Sequence, residues 1–99
     1  RQFYAAGYDG EAGEIVVKVV NAANAPYKVR FHLVGGARVE TKGHVLTLAA
    51  ATGMDENTAE EPKRIYPRES EFREFGELFD YEFLPFSYSV MRIKTQKRR

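Results

Sequence analysis

Two runs on either side of Asn24-Ala25-Pro26 set the terms for this chain. Glu14 to Asn21 is dense in β-branched residues, and Tyr27 to Val34 sets Val29, Phe31 and Leu33 against Lys28, Arg30 and His32. A period of two puts alternate side chains on opposite faces, which is how a half-buried strand is built and a helix is not. Upstream, Phe3 to Tyr8 has the same character. It joins the Glu14 run through Asp9-Gly10-Glu11-Ala12-Gly13, whose glycines allow the positive φ of a tight hairpin connection. These three runs predict an antiparallel meander.

Gly35-Gly36 ends the third run, Ala37 to Glu40 extends or restarts pairing, and His44 to Ala50 supplies a further strand. Residues 51 to 68 change character. Asp55-Glu56-Asn57-Thr58 sits among small and polar residues, Glu60-Glu61-Pro62 follows, and Pro67 comes shortly after. Thr58 and Glu61 have the spacing of a capping box, but Pro62 leaves room for no more than a turn of helix. The stretch therefore reads as a long loop, and loops of that length inside a compact domain are usually functional or docked on something. From Phe72 the chain turns aromatic. Phe79-Asp80-Tyr81-Glu82-Phe83 alternates strictly, Pro85 interrupts, and Phe86 to Lys94 forms a last strand with bulk on both faces, as a central strand requires.

Short strands at roughly ten-residue spacing, with no helix of ordinary length, predict an all-β fold: an antiparallel two-layer β-sandwich. The 99 residues suffice for one core. Residues 1–94 are assigned to that sandwich and 95–99 to a basic, disordered tail. The chain opens on Arg1-Gln2-Phe3-Tyr4 without an initiator Met or signal peptide and reads as a piece of a longer protein.

Charge and composition narrow the chemistry. Fifteen basic residues against fourteen acidic give +1, yet Lys94, Lys97, Arg98 and Arg99 crowd the last six positions. Ten of the fourteen acids lie between Asp55 and Glu82, opposite in sign to a nucleic-acid surface, so nucleic acid is disfavoured. The longest apolar run, Ile15 to Val20, is broken by Lys18 and falls far short of the roughly 18 residues of a membrane helix. With no Cys there is neither a disulfide framework nor a thiolate nucleophile.

Candidate sites reduce to ordinary roles one by one. A retaining or inverting glycosidase needs two carboxylates at a set separation, but Asp80 and Glu82 share the polar face of their strand, where solvation explains them. Asp55-Glu56-Asn57 lacks the alternating ligands, the glycine and the closing glutamate of a calcium loop. His32 and His44 have no partner at metal-ligand spacing, and Ser87 and Ser89 have neither a glycine elbow nor a nearby base. Thirteen aromatics offer material for a sugar-stacking platform, but most occupy alternating positions where a core lacking Trp needs them. Tyr4, Tyr8 and Tyr66 are the least committed. No catalytic, metal or cofactor residue is assigned, and no cofactor is expected.

Three motifs together resemble a known family: Glu14-Ile15-Val16-Val17-Lys18-Val19-Val20-Asn21, the Asp55-Glu56-Asn57-Thr58 loop with Pro62 and Pro67, and the closing segment from Gly76 to Ile93. In order and spacing they resemble the C-terminal domain of α-L-arabinofuranosidases of glycoside hydrolase family 51, from about Phe3 to Ile93. The chain departs from that pattern at Glu61, where Asn is usual, and at Leu84-Pro85-Phe86, where Pro-Pro-Tyr is usual. The resemblance implies a jelly-roll-like sandwich, completed in part by strands from the parent's N-terminus. It also implies packing against a catalytic (β/α)8 barrel that carries both catalytic glutamates and releases terminal arabinofuranosyl groups from arabinan and arabinoxylan. On this reading the chain is a non-catalytic domain. Asp55, Glu56, Asn57, Thr58, Pro62 and Pro67 are its candidate docking loop, and an uncovered sheet edge invites self-association. The alternative is a carbohydrate-binding β-sandwich module, which needs a strip of about three exposed coplanar rings.

Overall fold

The computed structural model describes residues 1–35, 38–50 and 65–96. Seven strands account for its regular structure: β1 (Gln2–Asp9), β2 (Glu14–Asn21), β3 (Tyr27–His32), β4 (Gly43–Ala50), β5 (Ile65–Phe72), β6 (Leu78–Phe83) and β7 (Ser87–Lys94). They form two antiparallel sheets, one of five strands in the order β1-β2-β7-β4-β5 and one of two, β3 with β6. The expected all-β, two-layer sandwich is borne out, with layers of unequal width.

The core lies between the sheets. Val17 and Val19 of β2, Val45 of β4, and Met91 and Ile93 of β7 point inward from the large sheet, and Phe79 and Phe83 of β6 meet them from the small one. Phe31 stacks on Phe79 at 4.9 Å between ring centroids, and Phe75 meets Phe79 edge-on at 5.2 Å. Offset and edge-on pairs of this kind suit the ring quadrupoles and fill a core that has no Trp. Phe72, Phe75, Phe79, Tyr81 and Phe83 thus serve packing, whereas Phe86 is exposed and Tyr88 belongs to the outer face.

Three local devices hold the strand ends. Asp9 accepts hydrogen bonds from the N–H groups of Glu11 and Ala12, and Gly13, at φ 70°, closes the β1–β2 turn. Gly43 leaves space for the Phe75 ring, which a Cβ there would approach to 2.9 Å. At the opposite end, fully buried Asn21 donates to the carbonyls of Ala25 and Leu84 and accepts from the N–H of Ala23. One amide therefore ties the β2–β3 connection to the β6–β7 turn.

Two expectations need correction. The meander fails at β3: the connection through Asn24-Ala25-Pro26 crosses between layers, and β3 pairs with β6 rather than β2. Two alternating strands look alike in sequence whether the link between them is a hairpin or a crossover. The long loop also ends sooner than expected, because residues 65–68 belong to β5. Pro67 argues against a strand, but β5 is an edge strand, where a missing N–H costs little. Of the segment Ala37 to Glu40, Val39 forms an isolated bridge with Thr95, and Ala37 lies outside the described residues.

Candidate functional site

Strand alternation dictates where the charged groups go, and several of them fall into pairs on outward faces. On the small sheet Arg30 and Asp80 stand opposite each other, and the guanidinium grips the carboxylate at 2.9 and 3.3 Å. The hydrogen bond from Arg30 holds the Asp80 carboxyl below its ordinary value, and the same bond raises Arg30. Glu82 is exposed on the same face, opposite Lys28. The expectation that Asp80 and Glu82 occupy a solvated face agrees with this arrangement. A carboxyl held in its charged form by an arginine is a poor proton donor, which is the reverse of what a glycosidase acid requires.

On the large sheet Arg92 bridges two carboxylates, donating to Glu14 at 2.9 Å and lying 3.5 Å from Asp9. The hydrogen bond to Glu14 is the main cause that raises Arg92 above the ordinary arginine value. Asp9 and Glu14 face each other across the β1–β2 ladder where it meets the connecting turn, so this triad fastens the turn end of the hairpin to β7. It holds charge in place, with a cation at its centre.

His32 is exposed and 3.9 Å from Glu77, and His44 is exposed at the start of β4. Among the described residues no three His, Cys, Asp or Glu side chains gather as a metal site would require. Ser87 and Ser89 are buried strand residues. Ser87 donates to the Leu84 carbonyl at 2.7 Å, and Ser89 meets Thr47 at 3.5 Å. Of the candidate docking loop, Pro67 is exposed on β5, and Asp55, Glu56, Asn57, Thr58 and Pro62 lie outside the described residues. In the segment assigned to the tail, Thr95 donates to the Gly13 carbonyl at 2.8 Å and the Gln96 N–H donates to Arg38.

One apolar concavity has no counterpart in the sequence expectations. It is an open apolar trough of about 320 Å³ between β1–β2 and β3, lined by Tyr4, Ala6, Ile15, Tyr27, Val29 and Phe31. It exists because the small sheet has two strands and cannot roof five. Tyr4 is 76% exposed in consequence, although its partner across the ladder is buried Val19. Tyr8 lies on the same face of β1 and Phe3 on the other, so the exposed rings of that strand do not form one coplanar strip.

Fold and site together describe a β-sandwich with Arg30–Asp80 and Arg92–Asp9/Glu14 ion pairs on its outward faces and an apolar trough beside β1. Comparisons with known proteins match it to a small part of larger enzymes. No protein-family model matches the chain. It is 36% identical over 88 residues to an extracellular exo-α-L-arabinofuranosidase of Streptomyces chartreusis, a match that takes in 89% of this chain and 10% of that one. An arabinose-bound GH51 α-L-arabinofuranosidase superposes with a TM-score of 0.78 at 25% identity, over 96% of this chain and 15% of its own. The α-L-arabinofuranosidase of Thermotoga maritima, also an arabinose complex, gives 0.70 at 25% identity over 92% of this chain and 18% of its own. The resemblance to the C-terminal domain of family 51 α-L-arabinofuranosidases is borne out. The chain spans about a tenth of the curated relative it matches.

Proposed function

We propose that this chain is the non-catalytic C-terminal sandwich of an α-L-arabinofuranosidase, whose remaining length carries a (β/α)8 barrel that hydrolyses terminal arabinofuranosides. The observation that carries this reading is the match of nearly the whole chain to a small fraction of an arabinofuranosidase. The paired state of its charges supports it, since Asp80 is bound to Arg30, and Asp9 and Glu14 share Arg92. In this role residues 1–94 form the domain and 95–99 its basic end. The trough over β1–β2 receives further strands of the parent chain, and the segment with Asp55, Glu56, Asn57, Thr58 and Pro62, together with Pro67 on β5, faces the barrel.

The full-length parent provides the test. Asp80→Asn combined with Glu82→Gln leaves kcat on an aryl α-L-arabinofuranoside unchanged if the domain is non-catalytic. A fall of orders of magnitude in a folded variant would place chemistry on this sandwich and end the proposal.

A further inference from the structure

We infer that the outer face of the five-stranded sheet, at the end opposite the Arg92 triad, is the surface that docks on the catalytic module of the parent chain; this deepens the proposed function and rests on it. Residues directly opposite in an antiparallel ladder share a face. The registers therefore line up Phe3, Val20, Tyr88, Leu48 and Pro67 as one row across all five strands, on the side away from the small sheet. The next row is Ala5, Lys18, Val90, Leu46 and Glu69, and the one after it, Gly7, Val16, Arg92, His44 and Glu71, is largely polar. Phe3 is 64% exposed and Leu46 40%, and Pro67 is exposed.

A sheet with one wet face alternates apolar and polar residues, whereas strands covered on both faces read as near-continuous apolar runs. The centre of this sheet is of the second kind: Ile15-Val16-Val17 and Val19-Val20 in β2, Val45-Leu46 in β4, Val90-Met91 in β7. The small sheet explains only the inner half of that pattern. The outer half implies a second covering layer.

Area selects the occupant. Five strands at about 4.8 Å spacing make a face about 24 Å wide, and two rows occupy about 14 Å of it, on the order of 330 Å². Burying it against an equal surface removes on the order of 700 Å², short of the about 1,200 Å² at which stable association of free proteins begins. It falls inside the about 600–1,500 Å² of contacts between domains of one chain, where the tether removes most of the association cost. The matched relatives are long enough to provide such a tethered module, since this chain covers 10% and 15% of theirs.

Hydroxyl-radical footprinting of the full-length parent tests this, together with cross-linking of its lysines. The expected result is that Phe3, Leu46 and Tyr88 oxidise severalfold more slowly than Leu78, which is 59% exposed on the outer face of the small sheet. Protection of Leu78 with free oxidation of Phe3, Leu46 and Tyr88, while cross-links to the barrel persist, would overturn the assignment of the face and leave the parent reading standing. Absence of cross-links together with free oxidation of both faces would overturn the two together. Protection that vanishes on dilution would mean a second copy covers the face. Protection that vanishes when residues 51–64 are replaced by a short turn would mean that segment covers it. Either result overturns the proposal.

Discussion

Asn21 does more for this fold than its position at the end of an apolar strand suggests. Its amide spans two connections and leaves no hydrogen-bonding atom idle, and among the described residues no buried side-chain polar atom lacks a partner. Asn21→Ala strands the Ala25 and Leu84 carbonyls and the Ala23 N–H, and is expected to cost about 2–3 kcal/mol in urea unfolding. Gly43 makes a second point at this scale. Because a Cβ would fall 2.9 Å from the Phe75 ring and 3.2 Å from the Arg92 carbonyl, Gly43→Ala is expected to destabilise by about 1–3 kcal/mol, despite the usual gain from removing a strand glycine. Equal or greater stability of the Ala variant would show that the ring moves aside freely. Neither role was legible in sequence, since both depend on atoms brought together from distant positions.

The strands were largely legible, and the pairings were not. β2, β4, β6 and β7 stand out by composition and alternation, and the structure places them within a residue or so of their expected bounds. β5 was hidden by Pro67 and by the charged run Arg68-Glu69-Ser70-Glu71, features that suit an edge strand and blunt it against further pairing. The wrong partner for β3 has the same root, since periodicity reports which face a residue takes and says nothing of which strand lies beside it. The trough over β1 followed from that pairing and was illegible for the same reason. On the small sheet, the Arg30–Asp80 pair makes a testable contribution to pH dependence. A carboxyl whose folded pKa is lowered adds stability above its unfolded value of about 3.9, and that stability is lost as pH falls through the folded value. Asp80→Asn should therefore flatten the stability profile only below about pH 4, and by a small amount that shrinks with added salt, because the pair is exposed. An unchanged slope below about pH 4, or a change of slope confined to neutral pH, would contradict this origin.

At the scale of the whole molecule, the unequal layers are the governing fact. A two-stranded sheet over a five-stranded one leaves β1 exposed on both faces, leaves the outer edges of β1 and β5 open, and leaves both edges of the small sheet open among the described residues. Unpaired edge N–H and C=O groups recruit further strands. The isolated chain is accordingly expected to associate with itself with rising concentration in sedimentation experiments, and a strict monomer over a wide range would count against an incomplete sandwich. The family resemblance rested on three motifs in order, and the match to arabinofuranosidases over most of the chain bears it out. The docking surface was only partly readable, because apolar residues on the outer faces of β2, β4 and β7 look like core until the register shows which side they take.

The central claim is that this sandwich serves an arabinofuranosidase without performing its chemistry. The most direct test is a paired measurement on the 99-residue chain alone: turnover of an aryl α-L-arabinofuranoside, and titration with soluble arabinan and arabinoxylan in the same preparation. No turnover and no saturable binding is the result predicted. Turnover would contradict the claim outright, and saturable binding without turnover would replace it with a carbohydrate-binding role.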